Sequence, residues 1–407
     1  MNKITNWVGQ NLVLNIEKVA HGGIFVARHD GRVVFVSHVL PGEKVKAQVF
    51  EDRGGSFCRA EPTEIIEPAP DRVAQVWKQA GPGGAGGAEF GHIKLDRQRE
   101  LKADVIEEAL DRMSGIKLRP VVEPVPGDDE NNGLGYRSRV QLHVDEAGNV
   151  GPYRERSHEV IRVKDLPLAT EDIRDLEFHH KNFQNVKKIE IAASNTGGTQ
   201  WRIDGKVKGD ERLIERAAGR TFRISGGGFW QVHRGAADLL ANTVTSMAAT
   251  VGFDKAAQNL DLYGGVGLFS GALAAKFGKD LEITSVESFR QATDDATLNL
   301  NDLSKAKVVC APVERFLDKH LSEKSTARNS SATIVLDPPR SGAGAKVVGR
   351  LVELAPKHII YVACDPIALA RDLKSFIAGG YRLAQLRAFD LFPHTHHVEC
   401  VASLVRD

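Results

Sequence analysis

The sequence predicts an α/β protein in three parts: a small β-barrel, a mostly β central region, and a C-terminal domain built on a parallel sheet. In the C-terminal part, apolar runs at 259–262 and 358–362 alternate with helical stretches, a pattern typical of buried parallel strands. Near the N-terminus, short alternating runs such as 12–16 are separated by turn signals, which favours a small barrel. These changes of pattern predict domains at residues 1–68, 69–222 and 223–407.

The segments between these parts carry further expectations. Apolar positions in residues 94–113 recur at helical spacing, and we expect this helix to pack on the C-terminal domain. The proline-rich stretch 61–70 predicts a linker that leaves the barrel. Residues 135–222 return to strand patterns with few helical stretches, so the central region is expected to be mostly β.

The composition is that of an ordinary globular chain. The 407 residues are enough for two or three cores, and 42% are apolar while 26% are charged. The 54 basic and 53 acidic residues nearly cancel, so a nucleic-acid site would have to come from local patches. Residues 1–7 lack a signal pattern, and no apolar run approaches about 18 residues. We expect a cytoplasmic protein with no membrane contact and no obligatory protein partner.

Cys364 is the candidate nucleophile. The four cysteines are scattered, which argues against a disulfide framework and against a zinc or iron–sulfur site. Cys364 follows the apolar run 359–363, and Asp337 follows 334–336, so both are expected where the carboxyl ends of parallel strands meet. A helix predicted to begin near Ile367 favours a lowered thiol pKa over a merely buried cysteine. Asp337 is a candidate ligand-orienting acid.

A glycine turn at 261–267 follows one predicted strand and precedes a helix at 268–277. Glycines let the backbone bend sharply near a ligand, and a helix N-terminus favours partial negative charge. The next strand ends at Glu287, where an acid commonly accepts hydrogen bonds from ribose hydroxyls. The turn lacks the three-glycine spacing of dinucleotide sites. These features predict an adenosine-containing ligand, and S-adenosylmethionine suits the single short turn better than NAD.

Three histidines and a glutamate near the C-terminus invite a metal interpretation. His394, His396 and His397 lack the His-x-x-x-His spacing of a helical metal pair, and Pro393 makes their segment a loop. We therefore predict no metal here. Glu399 enters the final apolar run and is better interpreted as a base at the mouth of a strand.

Taken in order, these motifs resemble those of the RNA (uracil-5-)-methyltransferases that use S-adenosylmethionine, over nearly the whole chain. Residues 10–68 are similar to the family's RNA-binding TRAM barrel. The matching strings lie at 20–23, 40–43, 135–139, 229–233, 261–267, 337–340, 361–373 and 392–399. The resemblance implies a Rossmann-like class I methyltransferase domain behind an OB-like barrel. It also implies methylation of carbon 5 of a uridine in structured RNA, with ribosomal RNA preferred over transfer RNA.

The resemblance further implies a role for each site residue. The Cys364 thiolate would add to carbon 6 of the uracil, and Glu399 would remove the proton from carbon 5. Arg340 would help to order its loop, and Phe229 would either stack on the flipped base or pack in the core. The cofactor contacts that it implies are Gln231, Tyr263, Glu287 and Asp337.

Three departures from the family pattern change these expectations. Ala363 and Asp365 stand where serine and asparagine usually flank the nucleophile, and the Asp365 carboxylate would oppose thiolate formation unless it points away or is paired. Leu268 stands where a cofactor-contacting asparagine is common. Many members carry an iron–sulfur cluster on four cysteines, and we predict none here because those positions are Ala80, Ala85, Ala88 and Leu166.

Two alternatives remain open. An amino-group methyltransferase would have an aromatic residue in place of Arg340 after the Asp-Pro-Pro string, and it would need no cysteine. A non-catalytic RNA-binding protein could keep a degenerate methyltransferase fold, although Cys364, Glu399 and Glu287 together argue against it. A covalent adduct with 5-fluorouridine RNA would separate these alternatives from the main hypothesis.

Overall fold

A closed β-barrel forms the N-terminal part of the computed structural model, which describes residues 6–322 and 330–406. Its strands are β1 (Asn11–Ala20), β2 (Ile24–His29), β3 (Arg32–Val36), β4 (Lys44–Glu51) and β5 (Phe57–Glu67). They are hydrogen-bonded in the order β1-β2-β3-β5-β4. Leu12, Leu14 and Ile16 point inward, because alternate residues of a strand face the same side. The predicted barrel is confirmed.

The predicted linker at 61–70 is wrong for its first seven residues, which belong to β5. This strand pairs with both β3 and β4 and so closes the barrel. Pro62 lies opposite Ala47, next to a register shift between Lys46 and Ala47. Proline lacks the N–H that a regular ladder needs and is tolerated at such irregularities. Proline content alone therefore mispredicts this segment.

The central region contains a long helix, a sheet and a hairpin. The helix is α1 (Leu95–Ser114), followed by the short strand β6 (Val122–Pro124) and, later, the single turn α2 (Glu171–Arg174). The sheet has the order β11-β10-β9-β7-β8, and the hairpin pairs β12 with β13. Their bounds are β7 (Arg139–Val144), β8 (Val150–Gly151), β9 (Lys188–Ala193), β10 (Thr199–Ile203), β11 (Lys206–Gly209), β12 (Arg212–Ala217) and β13 (Arg220–Ser225).

The C-terminal part is an α/β sandwich around a large sheet. Its strands are β14 (Asn259–Leu262), β15 (Ile283–Glu287), β16 (Ala306–Cys310), β17 (Thr333–Leu336), β18 (His358–Ala363), β19 (Tyr381–Asp390) and β20 (Glu399–Arg406). Its helices are α3 (Ala236–Thr250), α4 (Leu268–Phe277), α5 (Arg290–Asn299), α6 (Val313–Ser322), α7 (Gly344–Leu354) and α8 (Pro366–Ala378). Among the described residues, no helix combines the length and the apolarity needed to cross a membrane.

The strand order brings the predicted site residues to one edge of the sheet. The order is β16-β15-β14-β17-β18-β20-β19-β6, and β14 to β18 are parallel. The chain reverses its crossing direction between β14 and β17, and ligands bind outside the carboxyl ends of the strands at such a switch point. Because β20 is antiparallel to β18, its first residue lies at that same edge.

The helix α1 packs on the C-terminal part through its apolar face. Ala103, Ile106 and Leu110 share one buried core with Leu369 and Leu373 of α8. These buried residues recur at helical spacing and form one apolar stripe along α1, as the periodicity of residues 94–113 predicts. A long segment of the central region is therefore tied to the catalytic sheet.

The hairpin β12–β13 also contacts the C-terminal helices. Phe222 and Ile224 of β13 lie in a core shared with α3 and α4. The predicted domain boundary after residue 222 lies inside β13. The glycine run 226–228, where the sequence pattern changes, begins four residues after residue 222, directly after the end of the hairpin.

Candidate active site

One cavity of about 1080 Å³ opens at the carboxyl edge of the sheet. Enclosed spaces of several hundred Å³ with a few convergent polar groups are typical of ligand sites. The residues that the sequence predicts for the site all line it: Phe229, Gln231, Tyr263, Glu287, Asp337, Arg340, Cys364 and Glu399. Since they come from separate stretches of the chain, the fold alone brings them together.

The glycine turn runs from the end of β14 into α4. Tyr263, Gly265 and Gly267 have φ values of 61°, 54° and 88°, in the left-handed region that favours glycine. Gly264 is confined for another reason: a Cβ there would lie 2.2 Å from the Ser285 Oγ. A Cβ on Gly265 would point into open space, and this residue lines the cavity. The backbone therefore leaves room for a ligand at Gly265.

Glu287 ends β15 and is held by the turns on either side. Its Oε2 accepts a hydrogen bond from the Gly265 N–H at 3.3 Å, and its Oε1 accepts one from the Phe289 N–H at 2.8 Å. Phe289 is 58% exposed and lines the cavity, a site feature that the sequence reasoning missed. The sequence feature that could have indicated it is an aromatic residue two positions after Glu287, the acid at the end of the strand.

Cys364 and Glu399 lie side by side at the sheet edge. Ala363 of β18 is the ladder partner of Cys400 in β20, so the next residue of one strand faces the preceding residue of the other. Glu399 is 4% exposed, and Cys364 is partly buried. The predicted nucleophile and the predicted base therefore share one wall of the cavity.

The predicted lowering of the Cys364 pKa is wrong. Burial raises the pKa of this thiol to about 12, and the charges of Glu399 and Asp337 add to the rise, while Arg340 opposes it. Burial, and then the charge of Asp337, also raises the pKa of Glu399 well above its usual range. The helix that follows Cys364 does not compensate for a thiol that faces two acids.

Asp337 is partly buried and lies close to a second acid, the buried Asp261. Burial, followed by the charge of Asp261, raises the pKa of Asp337 to about 7. Burial raises the pKa of Asp261 to about 6, although its Oδ2 accepts hydrogen bonds from the backbone N–H and the hydroxyl of Ser270. The other oxygen of Asp261 is buried and has no hydrogen-bond partner within the described residues. This edge of the sheet therefore concentrates carboxyl groups that ionise reluctantly.

Asp365, the unusual neighbour of the nucleophile, is paired. Its Oδ2 lies 2.8 Å from Nε2 of His21 in the barrel, and its Oδ1 accepts the Ala368 N–H at 2.8 Å, which caps α8. Burial acts to raise the pKa of Asp365, but these bonds outweigh it and hold the pKa below its ordinary value. The carboxylate therefore has a partner for each oxygen.

The remaining sequence candidates have distinct surroundings. Phe229 is 68% exposed in the cavity wall, so it does not pack in the core, whereas its neighbour Trp230 is buried there. Leu268, which replaces the expected asparagine, is also a core residue. Arg340 is exposed, and its Nη2 lies 3.3 Å from Nε2 of His397.

The four positions at which the family carries its cluster cysteines hold no thiol in this protein. The positions of the family's four cysteines fall in one buried apolar cluster that also contains Trp77, and their residues are Ala80, Ala85, Ala88 and Leu166. Alkyl side chains cannot ligate iron, so these residues do not fit the group. Over the described ranges 6–322 and 330–406, no three His, Cys, Asp or Glu side chains are arranged to hold a metal. His394 and His396 instead bond Gln98 and Glu89.

Comparisons with known proteins indicate an RNA methyltransferase. The tRNA (uracil-5-)-methyltransferase family model matches residues 236–407, and the TRAM domain model matches residues 7–61. Uncharacterized RNA methyltransferases of Streptomyces avermitilis and Bifidobacterium longum are 40% and 34% identical, the alignments covering 98% and 97% of this chain and 98% and 96% of the relatives. A Pyrococcus abyssi tRNA (uracil-54, C5)-methyltransferase in complex with S-adenosyl-L-homocysteine has a TM-score of 0.72 at 20% identity, covering 97% of this chain and 100% of that one.

The fold and the cavity define an α/β enzyme whose ligands bind at the carboxyl edge of a parallel sheet. The structural match extends this fold over the barrel and the central region as well. The chain belongs to the RNA methyltransferases, as the relatives along its whole length establish, and its C-terminal part matches the tRNA (uracil-5-)-methyltransferase family model. It is an RNA methyltransferase, and its N-terminal barrel is a TRAM domain.

Proposed function

We propose that the protein transfers a methyl group from S-adenosylmethionine to carbon 5 of a uridine in structured RNA, through a covalent Cys364 adduct and with Glu399 as base. One observation carries the proposal: the eight site residues line a single cavity in which Cys364 and Glu399 are neighbours. A cavity of about 1080 Å³ is large enough for a nucleoside cofactor together with a flipped base.

The cofactor half of the cavity fits S-adenosylmethionine. The Glu287 carboxylate, fixed by two backbone N–H groups, suits ribose hydroxyl donors. The exposed ring of Phe289 offers a flat apolar surface for an adenine, and the open space at Gly265 lets the backbone approach the ligand. Asp337, with Tyr263 and Gln231 nearby in the wall, suits the positively charged end of the molecule. Bound S-adenosylmethionine would supply a methyl group on a positively charged sulfur.

Cys364 and Glu399 suit two steps of the reaction, the addition of a thiolate to the uracil and the later removal of a proton from it. Addition of the Cys364 sulfur to carbon 6 makes carbon 5 of the uracil nucleophilic. After carbon 5 is methylated, the Glu399 carboxylate removes the proton from that carbon, and elimination of the thiol restores the ring. Since burial disfavours both the thiolate and the carboxylate, positive charge in the cavity favours their active forms.

Arginines and an exposed aromatic ring line the route by which RNA would enter. Arg137, Arg156 and Arg340 are in the wall of the main cavity, and Phe229 stands exposed among them. Arg137 also lines an adjoining groove of about 250 Å³ on the central sheet. Arginines suit phosphates, and an aromatic face suits an unstacked base. We propose that Phe229 stacks on the target uracil or its neighbour.

The TRAM barrel continues this surface. Phe50 and Phe57 are 42% and 46% exposed beside Arg53 and Arg59, in a groove of about 460 Å³. Arg156 lies over the Phe50 ring and lines the catalytic cavity as well, so it joins the two. Aromatic rings interleaved with arginines are typical of surfaces that bind single-stranded nucleic acid. We propose that this patch binds nucleotides flanking the target.

The test is a denaturation-resistant adduct with 5-fluorouridine RNA in the presence of S-adenosylmethionine. Fluorine at carbon 5 cannot leave as a proton does, so the covalent complex should accumulate with wild type and vanish with Cys364→Ala. The matched control is Cys310→Ala, which removes an exposed cysteine outside the cavity wall and should react like wild type. Failure of wild type to form an adduct with either ribosomal or transfer RNA would contradict the mechanism and favour the alternative of a non-catalytic RNA-binding protein.

Ribosomal RNA remains the predicted substrate class. The preference for one RNA class can be measured directly. The protein is given labelled S-adenosylmethionine and either ribosomal or transfer RNA from cells that lack it, and transfer of the labelled methyl group is followed. Incorporation into a single uridine of ribosomal RNA is the expected result. Incorporation into transfer RNA alone would reverse the prediction without affecting the adduct chemistry.

A further inference from the structure

A loop of the TRAM barrel reaches the nucleophile. Residues 21–23 connect β1 to β2, and Gly23 lines the catalytic cavity. The walls of a smaller adjoining cavity, of about 100 Å³, include His21, Cys364 and Asp365. The loop fits closely, since a Cβ on Gly23 would lie 2.7 Å from Cβ of His396. The barrel therefore supplies part of the active-site wall.

His21 is the residue of this loop that carries chemistry. Its Nε2 lies 2.8 Å from Oδ2 of Asp365, a partner 344 residues away in the sequence. The side chain of His21 is 47% exposed and that of Asp365 is 22% exposed. The pair therefore forms at the mouth of the cavity, directly beside the nucleophile.

We propose that His21 is a positioning residue for methyl transfer: its imidazolium pairs with Asp365 and neutralises the carboxylate next to Cys364, so that the docked barrel makes the thiol easier to ionise. The inference rests on the proposed role of Cys364 as nucleophile. Its physical basis is that a negative charge beside a thiol disfavours the thiolate, and Asp365 directly follows Cys364 and lines the same smaller cavity. The Ala368 N–H and His21 together hold both oxygens of Asp365 in place.

Other charged groups also face the Cys364 thiol, so the His21–Asp365 pair is one of several electrostatic influences on its ionisation. Glu399 and Asp337 oppose ionisation of the thiol, and Arg340 favours it. The further titratable groups in the walls of the two cavities near Cys364 include Lys102, His396, His397, Glu89, Glu155, Glu287, Arg137, Arg156 and Tyr263. Cys400 follows Glu399 directly and is buried. The test must therefore vary His21 and Asp365 while these groups stay unchanged.

The direction in which the effect of His21 changes with pH distinguishes an electrostatic role of His21 from a role that only docks the barrel. The hydrogen bond with Asp365 raises the pKa of His21 above its ordinary value of 6.5. Below that raised pKa His21 is positive and compensates Asp365; as the pH rises through it, the compensation is lost. The advantage of wild type over His21→Ala is therefore largest near pH 6 and fades toward pH 9. A contact that only docks the barrel would not follow this curve.

The experiment measures modification of Cys364 by N-ethylmaleimide, followed by mass spectrometry of its peptide, from pH 6 to pH 9. The variants are His21→Ala, Asp365→Asn and the double variant, with His29→Ala as the control histidine of the same barrel. Asparagine keeps an oxygen for the Ala368 N–H, so α8 retains its cap. The reaction rate follows the fraction of thiolate, and a tenfold change corresponds to one pKa unit.

His21→Ala should react about tenfold more slowly than wild type near pH 6 and at the same rate near pH 9. In the Asp365→Asn background, loss of His21 should change nothing. A His21 effect that is equal at all pH values, or one that persists with Asp365→Asn, would overturn the proposal. The readout needs neither RNA nor cofactor, so failure of the proposed methyl transfer appears separately, as absence of the fluorouridine adduct in wild type.

Discussion

Replacing Asp337 by asparagine is expected to stabilise the protein at neutral pH while it impairs methyl transfer. Burial, with Asp261 beside it, raises the pKa of Asp337 to about 7, against an ordinary 3.8. Between those values the unfolded chain has lost a proton that the folded protein keeps. The contribution of Asp337 to stability is therefore fully present below pH 3.8 and is lost as the pH rises through 7.

The magnitude follows from the proton difference. One proton changes the free energy of unfolding by about 1.4 kcal/mol for each pH unit. From pH 5 to pH 7 wild type should therefore lose roughly 2–3 kcal/mol that Asp337→Asn does not lose. Glu399 acts in the same direction, because burial and then the charge of Asp337 raise its pKa, and the variant removes that charge.

Urea denaturation of both proteins at pH 5, 6, 7 and 8 measures this difference. The matched control is Asp280→Asn, a 55% exposed aspartate whose pKa is held below its usual value by Lys255. Asp280 is ionised in the folded and unfolded chains throughout this range, so its variant should differ from wild type by a constant amount. A constant difference for Asp337→Asn as well would refute the reasoning, because it would mean that folded Asp337 is already ionised at pH 5.

Three further substitutions test the site. Glu399→Gln should trap ordinary RNA as a methylated covalent complex on denaturing gels, because addition and methyl transfer precede proton removal; continued release of methylated RNA would exclude Glu399 as the base. Phe289→Ala should weaken binding of S-adenosylmethionine roughly tenfold by calorimetry, the value of one lost stacking contact, without changing RNA affinity. Gly264→Ala should abolish cofactor binding because its Cβ would lie 2.2 Å from the Ser285 Oγ. Adding Ser285→Gly should restore binding, and no rescue would mean that the clash is not the cause.

The catalytic sheet was predictable because its strands are buried on both faces. The strand β14 is short, fully buried and followed by the glycine turn, and α4 begins where that turn ends, so the predicted bounds of both match the structure. The rule that ligands bind at the carboxyl ends of parallel strands then brought Asp337, Cys364 and Glu287 to one edge. Their catalytic and binding roles remain predictions.

Features set by tertiary packing were not predictable from local sequence. The Cys364 pKa depends on burial and on acids that arrive from other strands, whereas the sequence displays only the helix that follows. The partner of Asp365 is His21, 344 residues earlier in another domain. Pro62 suggested a linker because nothing in its neighbourhood reveals the register shift in the adjacent strand. In each case the deciding interaction is non-local.

The electrostatics of the catalytic edge favour a cationic ligand over a merely structural role. Asp261, Asp337 and Glu399 are crowded where burial raises the pKa of each, and apolar side chains of similar size would be more stable there. Such strain is tolerated where it serves binding or chemistry. A positive charge entering the cavity would relieve it, since it favours the ionised acids. Asp365 is different, because His21 already compensates it from the barrel. The uncompensated acids of the site are therefore available to a ligand, whereas the carboxylate of Asp365 is paired with the protein's own His21.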